Sequence, residues 1–137
     1  MNNELRIKNY ELRRIVPIQT FKDLVVWQKG HEFVLYIYML TKKFPREETF
    51  ALTDQMRRAA VSITSNIAEG FSRQSYKDKT YFYTMAQGSL TELQNQLLIA
   101  KDIGYIPSKE FEVAELKSIV VHKLLSGIIK SSKSRYN

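Results

Sequence analysis

Between Gln55 and Gly70 a series of hydrogen-bonding side chains recurs at steps of three and four: Gln55, Arg58, Ser62, Ser65 and Glu69. At about 3.6 residues per turn these fall on one side of a helix. Leu52, Met56, Ala59, Ile63 and Ile67 form an apolar stripe beside them, and Asn66 lies between the two. A guanidinium, a carboxylate and two hydroxyls next to a buried seam have two uses. Either they satisfy one another and the groups of a facing helix or subunit, or they hold a polar ligand. Internal partners are the commoner fate of such groups, so a structural network of Gln55, Arg58, Ser62, Asn66 and Glu69 with a facing helix is the leading reading.

Residues that would make this stripe catalytic are missing. His31 and His122 are the only histidines, on separate segments, with no carboxylate at metal-ligand spacing. No Glu-x-x-His pair of the di-iron bundle type occurs. Nor is there a phosphate-binding glycine loop, a dinucleotide fingerprint or a Gly-x-Ser-x-Gly elbow. Without cysteine the chain has no thiolate for zinc, nucleophilic catalysis or disulfides. The sequence therefore predicts no catalytic residue, no metal and no cofactor, and a protein that is not an enzyme.

The elements that must position the stripe are four helices. Thr20-x-x-Asp23 has the form of a capping box opening the first, along which Val26, Gly30, Phe33, Ile37, Leu40 and Phe44 mark a seam. Gly30 on that seam would let another helix approach closely. Pro45 ends the segment. The second helix is expected over about 49–71. A second capping box, Ser75-x-x-Asp78, opens a third that reaches Ile103, with Gly104 and Pro107 as stop signals. The expected buried stripe of the third is Phe82, Ala86, Ser89, Leu93, Leu97 and Ala100. Ser108 is the expected cap of the fourth, whose apolar faces are expected to be Phe111, Leu116, Ile119, Val120, Leu124 and Ile128. Short connections and no strand alternation lead to an all-α, antiparallel up-and-down four-helix bundle over residues 20–131. Residues 1–19, with a weak repeat of Glu-Leu-Arg, read as an N-terminal extension, and 132–137 as a basic tail that frays.

Folding the second helix back on the third brings the level of Arg58 to that of Gly88–Glu92. An interhelical Arg58–Glu92 ion pair is expected, with Ser62 near Gly88 and Ser89. Glu69 would lie farther along, in reach of Arg73 or Lys77. The outer side of the second helix carries Val61, Thr64 and Ala68. Small apolar groups there point to contact with another subunit, or are scattered surface residues.

The same topology sorts the charges. The chain carries 21 Lys and Arg against 14 Asp and Glu, a net +7, with an isoelectric point near 9.6. In an up-and-down bundle the N-terminus, the second connection and the C-terminus share one pole. Twelve basic residues gather there (Arg6, Lys8, Arg13, Arg14, Lys22, Arg73, Lys77, Lys79, Lys123, Lys130, Lys133 and Arg135). Five acids face them: Glu4, Glu11, Asp23, Glu69 and Asp78. The surplus at this pole equals the whole net charge. Such a field favours RNA or DNA, because each phosphate neutralised releases counterions. The candidate contacts are Arg13, Arg14, Arg73, Lys77, Lys79, Lys130, Lys133 and Arg135, with Tyr10, Tyr76, Tyr81 and Tyr136 available to stack on bases. A solvated basic face, or one that docks a protein partner such as a nucleic-acid enzyme, is the alternative. No apolar run approaches the ~20 residues of a membrane span, and the N-terminus lacks the apolar core of a secretion signal. A cytoplasmic protein that does not enter membranes is expected.

Several separated motifs carry a resemblance. They are Phe21-x-Asp23-Leu24-x-x-Trp27-Gln28-Lys29, Phe44-Pro45, Gln55-x-Arg57-Arg58-Ala59-Ala60-x-Ser62-Ile63-x-x-Asn66-Ile67-Ala68-Glu69-Gly70, Gly88-Ser89-Leu90-x-Glu92-Leu93 and Ile103-Gly104-Tyr105. In this order, over about 21–130, the chain resembles the four-helix-bundle family of the 23S rRNA intervening-sequence protein. The resemblance implies an antiparallel bundle and a homo-oligomer, expected as a homopentameric ring. A related branch, the accessory proteins of diversity-generating retroelements, engages a reverse transcriptase and nucleic acid. The family supplies no catalytic residues to transfer.

Overall fold

The computed structural model describes residues 17–136. Four helices follow in order: α1 (Val25–Thr41), α2 (Leu52–Ser72), α3 (Tyr76–Asp102) and α4 (Ser108–Lys133). Each packs against its neighbours in the chain and α4 closes back on α1, while the backbones of the diagonal pairs α1/α3 and α2/α4 stay apart. That is the antiparallel up-and-down four-helix bundle.

The seams read on the first three helices enter the core, with Phe82 and Ser89 half-buried, but the face expected on α4 does not. Leu116, Ile119 and Val120 are exposed, because the helix turns inward the stripe Phe111, Ala114, Ser118, Val121, Leu125 and Ile129, which runs at unbroken steps of three and four. Phe33, Ile37 and Leu40 of α1 meet Met56, Ile63 and Ile67 of α2, Leu90, Leu93 and Leu97 of α3, and Val121 and Leu125 of α4, all nearly or fully inaccessible. Gly30 sits where α1 crosses α2. A Cβ there would stand 3.2 Å from the Thr64 methyl, so the close approach inferred from the sequence is real. It also turns Thr64 toward α1 rather than to the outside.

The helix ends depart from expectation in four places. The Thr20–Asp23 box closes a 3-10 turn, Phe21–Asp23, and Leu24 precedes α1 as its N-cap. The Asp23 carboxylate accepts from the backbone N–H groups of Gln19 and Thr20, each at 3.0 Å. A second 3-10 turn, Arg46–Glu48, delays α2 to Leu52, whose N–H donates to the Glu48 carboxylate at 3.1 Å. Pro107, not Ser108, occupies the N-cap of α4, where its missing N–H costs nothing. The C-terminal boundary moves as well. α4 continues through the expected tail to Lys133, because Ser132 is buried and bonded to Thr80 and Tyr76.

Two signals fall where the sequence set them. The Ser75 hydroxyl accepts from Asp78 N–H at 3.1 Å and opens α3. At the other end of α3, Gly104 takes φ +87° while Tyr105 N–H donates to Ala100 carbonyl at 2.8 Å. Together with the Gly104–Lys101 bond this is a Schellman stop.

Candidate nucleic-acid interface

Ser62 and Ser89 face each other across the α2–α3 seam with hydroxyl oxygens 2.8 Å apart. Asn66, one turn on, donates to both the carbonyl and the hydroxyl of Ser62, at 2.8 and 3.1 Å. The two serines provide a short polar bridge between the two helices in the middle of an otherwise apolar seam.

Arg58 does not join this bridge. Its Nε donates to Asp54 of its own helix at 2.9 Å, and its side chain is 79% exposed. Glu92, also exposed, accepts instead from Gln96 at 3.3 Å. The expected Arg58–Glu92 pair is thus replaced by a partner four residues away on the same helix. Asp54 can be reached without taking either charge out of water, whereas spanning the seam would carry a desolvation cost. Gln55 is exposed too. The stripe is therefore split into an inner part (Ser62, Asn66 and Ser89) and a solvated outer part.

Its neighbour Arg57, absent from the sequence-based candidates, is the tied arginine. It donates to the Thr41 hydroxyl at 2.9 Å and lies over the Tyr38 ring at 4.6 Å. The signal was available in its spacing, four after Thr53 and three before Ala60, both buried on the side of α2 toward α1.

At the end of the bundle where α2 hands over to α3, the basic side chains divide by role. Glu69 pairs with Arg73, choosing it over Lys77, and the Arg73 guanidinium rests 4.6 Å from the Phe82 ring. Lys79 donates to the carbonyls of Phe71 at 2.6 Å and Gly70 at 3.4 Å. It thereby caps the negative end of α2. Arg135 donates to the Tyr76 hydroxyl at 3.1 Å, and Ser132 donates to the Tyr76 carbonyl at 3.1 Å. These bonds tie the end of α4 to the start of α3. Lys77, Lys130 and Lys133 form no ion pair among the described residues. Lys130 and Lys133 line a shallow groove between α3 and α4 with Gln87 and Ser126. Arg13 and Arg14 lie outside the described residues.

The three chain segments expected at this pole do meet there. Ile18 and Leu24, Phe71 and Tyr76, and Ser131 and Arg135 line one cleft. The chain segments at this end carry Lys22, Arg73, Lys77, Lys79, Lys130, Lys133 and Arg135 against Asp23, Glu69 and Asp78. Lys123, expected here, lies instead near the middle of α4, between the levels of the Gln87–Ser126 and Gln94–Ser118 bonds. The Thr20 and Gln19 N–H groups, with Thr20 first, hold the Asp23 carboxyl below its usual range. Burial, and secondarily Tyr76, pushes the Tyr83 hydroxyl up.

The model of the 23S rRNA-intervening sequence protein family matches residues 22–127. The chain belongs to that family. A similar solved structure is a protein of unknown function from the S23 ribosomal protein family of Bacteroides thetaiotaomicron VPI-5482. It shares 31% identity at a TM-score of 0.72, covering 77% of this chain and 99% of that one. No curated protein matches. The family match takes in the Ser62–Ser89 bridge, Arg73, Lys77 and Lys79, and stops before Lys130, Lys133 and Arg135. Among the described residues no cluster of His, Asp and Glu could hold a metal ion, and no helix is long and apolar enough to cross a membrane.

Proposed function

We propose that this chain is a non-enzymatic subunit that binds structured RNA, or another nucleic acid, through the basic pole. The observation that carries the reading is the unequal charge at that end. Seven cations stand against three acids there, and Lys77, Lys130 and Lys133 are spared from internal ion pairs among the described residues. Cations left in water are the ones available to phosphates, and each phosphate neutralised adds affinity through counterion release. In a homo-oligomeric ring the pole is repeated around one face, so weak contacts multiply by avidity. The exposed Val61 and its neighbour Ala68 on α2 are the surface we assign to contact between copies.

The test is anisotropy of a labelled RNA hairpin titrated with protein at several salt concentrations. Lys77→Glu/Lys130→Glu/Lys133→Glu should abolish most binding at low salt. It should also flatten the dependence of log affinity on log salt, by about 0.7–0.9 for each phosphate that is no longer neutralised. Unaltered binding by the triple variant, or none by the wild type at low salt, refutes the reading.

A second reading, an accessory subunit docking a protein partner, is favoured by one observation. Val113, Leu116, Ile119 and Val120 form an exposed apolar patch along α4. Copurification with and without nuclease separates the two, because a partner retained after nuclease treatment binds through protein contacts.

A further inference from the structure

The cleft at the basic pole has a composition that phosphate binding alone does not explain. It measures about 370 Å³ and its walls are mostly apolar side chains from three segments of the chain. The size lies within the range of small-ligand sites. Tyr76 forms one wall and is 37% exposed. Its ring is held by Arg135, also at the cleft, which bonds its hydroxyl at 3.1 Å and keeps a guanidinium 5.4 Å from its centroid. Tyr83 lines the interior and is nearly buried, and its hydroxyl has no hydrogen-bond partner among the described residues. Ser131 adds a second hydroxyl, and Lys79 and Arg135 contribute the positive charge.

We infer that this cleft takes one unpaired nucleobase, stacked on Tyr76, with its flanking phosphate on Arg135 and its edge toward the hydroxyls of Tyr83 and Ser131. The inference rests on the reading of the pole as a nucleic-acid surface and adds a ligand class to it. A flat heteroaromatic ring matches an apolar cleft with an ordered aromatic wall. A simple phosphate would leave that wall and the inner hydroxyl unused. A purely aliphatic ligand would leave the Tyr83 hydroxyl unpaired and the two cations without a counter-charge. Bases exposed in loops, bulges and strand ends are the part of an RNA that can enter such a site. Stacking on an aromatic side chain tolerates any base, so the cleft reads unpairing rather than sequence.

The experiment compares a short oligouridine with an abasic strand of the same length and charge, titrated against the full-length protein at low salt. The base-bearing strand should bind about tenfold more tightly, the size of effect expected from stacking. Tyr76→Ala, and separately Ser131→Phe, which fills the cleft, should each bring the ratio of the two affinities toward one. The charge-reversed Lys77/Lys130/Lys133 variant should weaken both strands and keep the ratio. Thermal melts establish that each variant is folded, and the two cleft variants act by different means, so loss of one to misfolding leaves the other. Equal affinity for both strands overturns the inference and leaves the pole reading standing. So does a ratio that survives both cleft variants, because the base then binds elsewhere. Absence of binding by either strand overturns the pole reading and this inference with it.

Discussion

Replacing Gly70 by alanine adds one methyl group where α2 packs against Tyr83 and Phe82 of α3 near the basic pole. A Cβ at this position would lie 2.6 Å from Tyr83 Cε1, 2.8 Å from Tyr83 Cδ1 and 3.2 Å from Phe82 Cβ. Carbon atoms prefer separations of about 3.5–4 Å, so the ring has to retreat by roughly one ångström. Tyr83 is 3% exposed and has no flexible end that can yield. Overpacking of this kind costs about 1–3 kcal/mol. Against it stands the helix preference of alanine over glycine, about 1 kcal/mol in a helix interior and less this near the C-terminus of α2. The steric effect wins, leaving a net loss of about 1–2 kcal/mol and a Tm lower by about 3–10 °C. Differential scanning calorimetry measures the loss. Alkaline difference absorbance adds a local readout, since a displaced Tyr83 ring should titrate nearer to an ordinary tyrosine. Gly88→Ala is the control, because a Cβ there meets nothing within 4 Å. That substitution should stabilise by about 0.5–1 kcal/mol. A Gly70→Ala protein as stable as wild type would refute the reasoning, because the helices would then separate at no cost.

Ser62→Ala should destabilise by about 1 kcal/mol, since Ser89 loses a partner in a half-buried setting. The double variant with Ser89→Ala should lose less than the sum of the two single changes, read by urea unfolding. Arg58→Ala, by contrast, should stay within about 0.5 kcal/mol of wild type in the same assay, because its ion pair is the exposed one with Asp54. Stability should fall at alkaline pH. Tyr83 and Tyr36 are raised mainly by burial and Tyr105 mainly by its bond to Glu48, so the folded state retains protons that the unfolded state has lost. Their contribution is complete below the unfolded value of about 10 and disappears as pH rises through the folded values. Tyr83→Phe should make the alkaline limb of Tm against pH shallower, and an unchanged limb would assign the loss to other groups.

Arg58 and Arg57 show how far the site could be read in advance. Helical periodicity placed Arg58 on the polar side of α2 beside the seam and gave Arg57 no role, yet the tied residue is Arg57, held by Thr41 and Tyr38. Choosing between them requires the rotation of α2 about its axis relative to α1, which the whole core sets jointly. Lys79 makes the same point. Its charge and position at the pole were legible, whereas its occupation by the carbonyls of Gly70 and Phe71 depends on how tightly the α2–α3 connection turns.

By itself the sequence determined the four helices, the Ser75 cap, the Gly104 stop and the core seams of α1 and α2. These follow from spacings of a few residues and from short connections that force neighbouring helices to run antiparallel. The tertiary structure decided which polar groups found internal partners, how closely Gly70 let Tyr83 approach, and that three distant segments enclose a cleft beside Tyr76. Those outcomes depend on ångström-scale distances between helices, which arise only when every seam is packed at once.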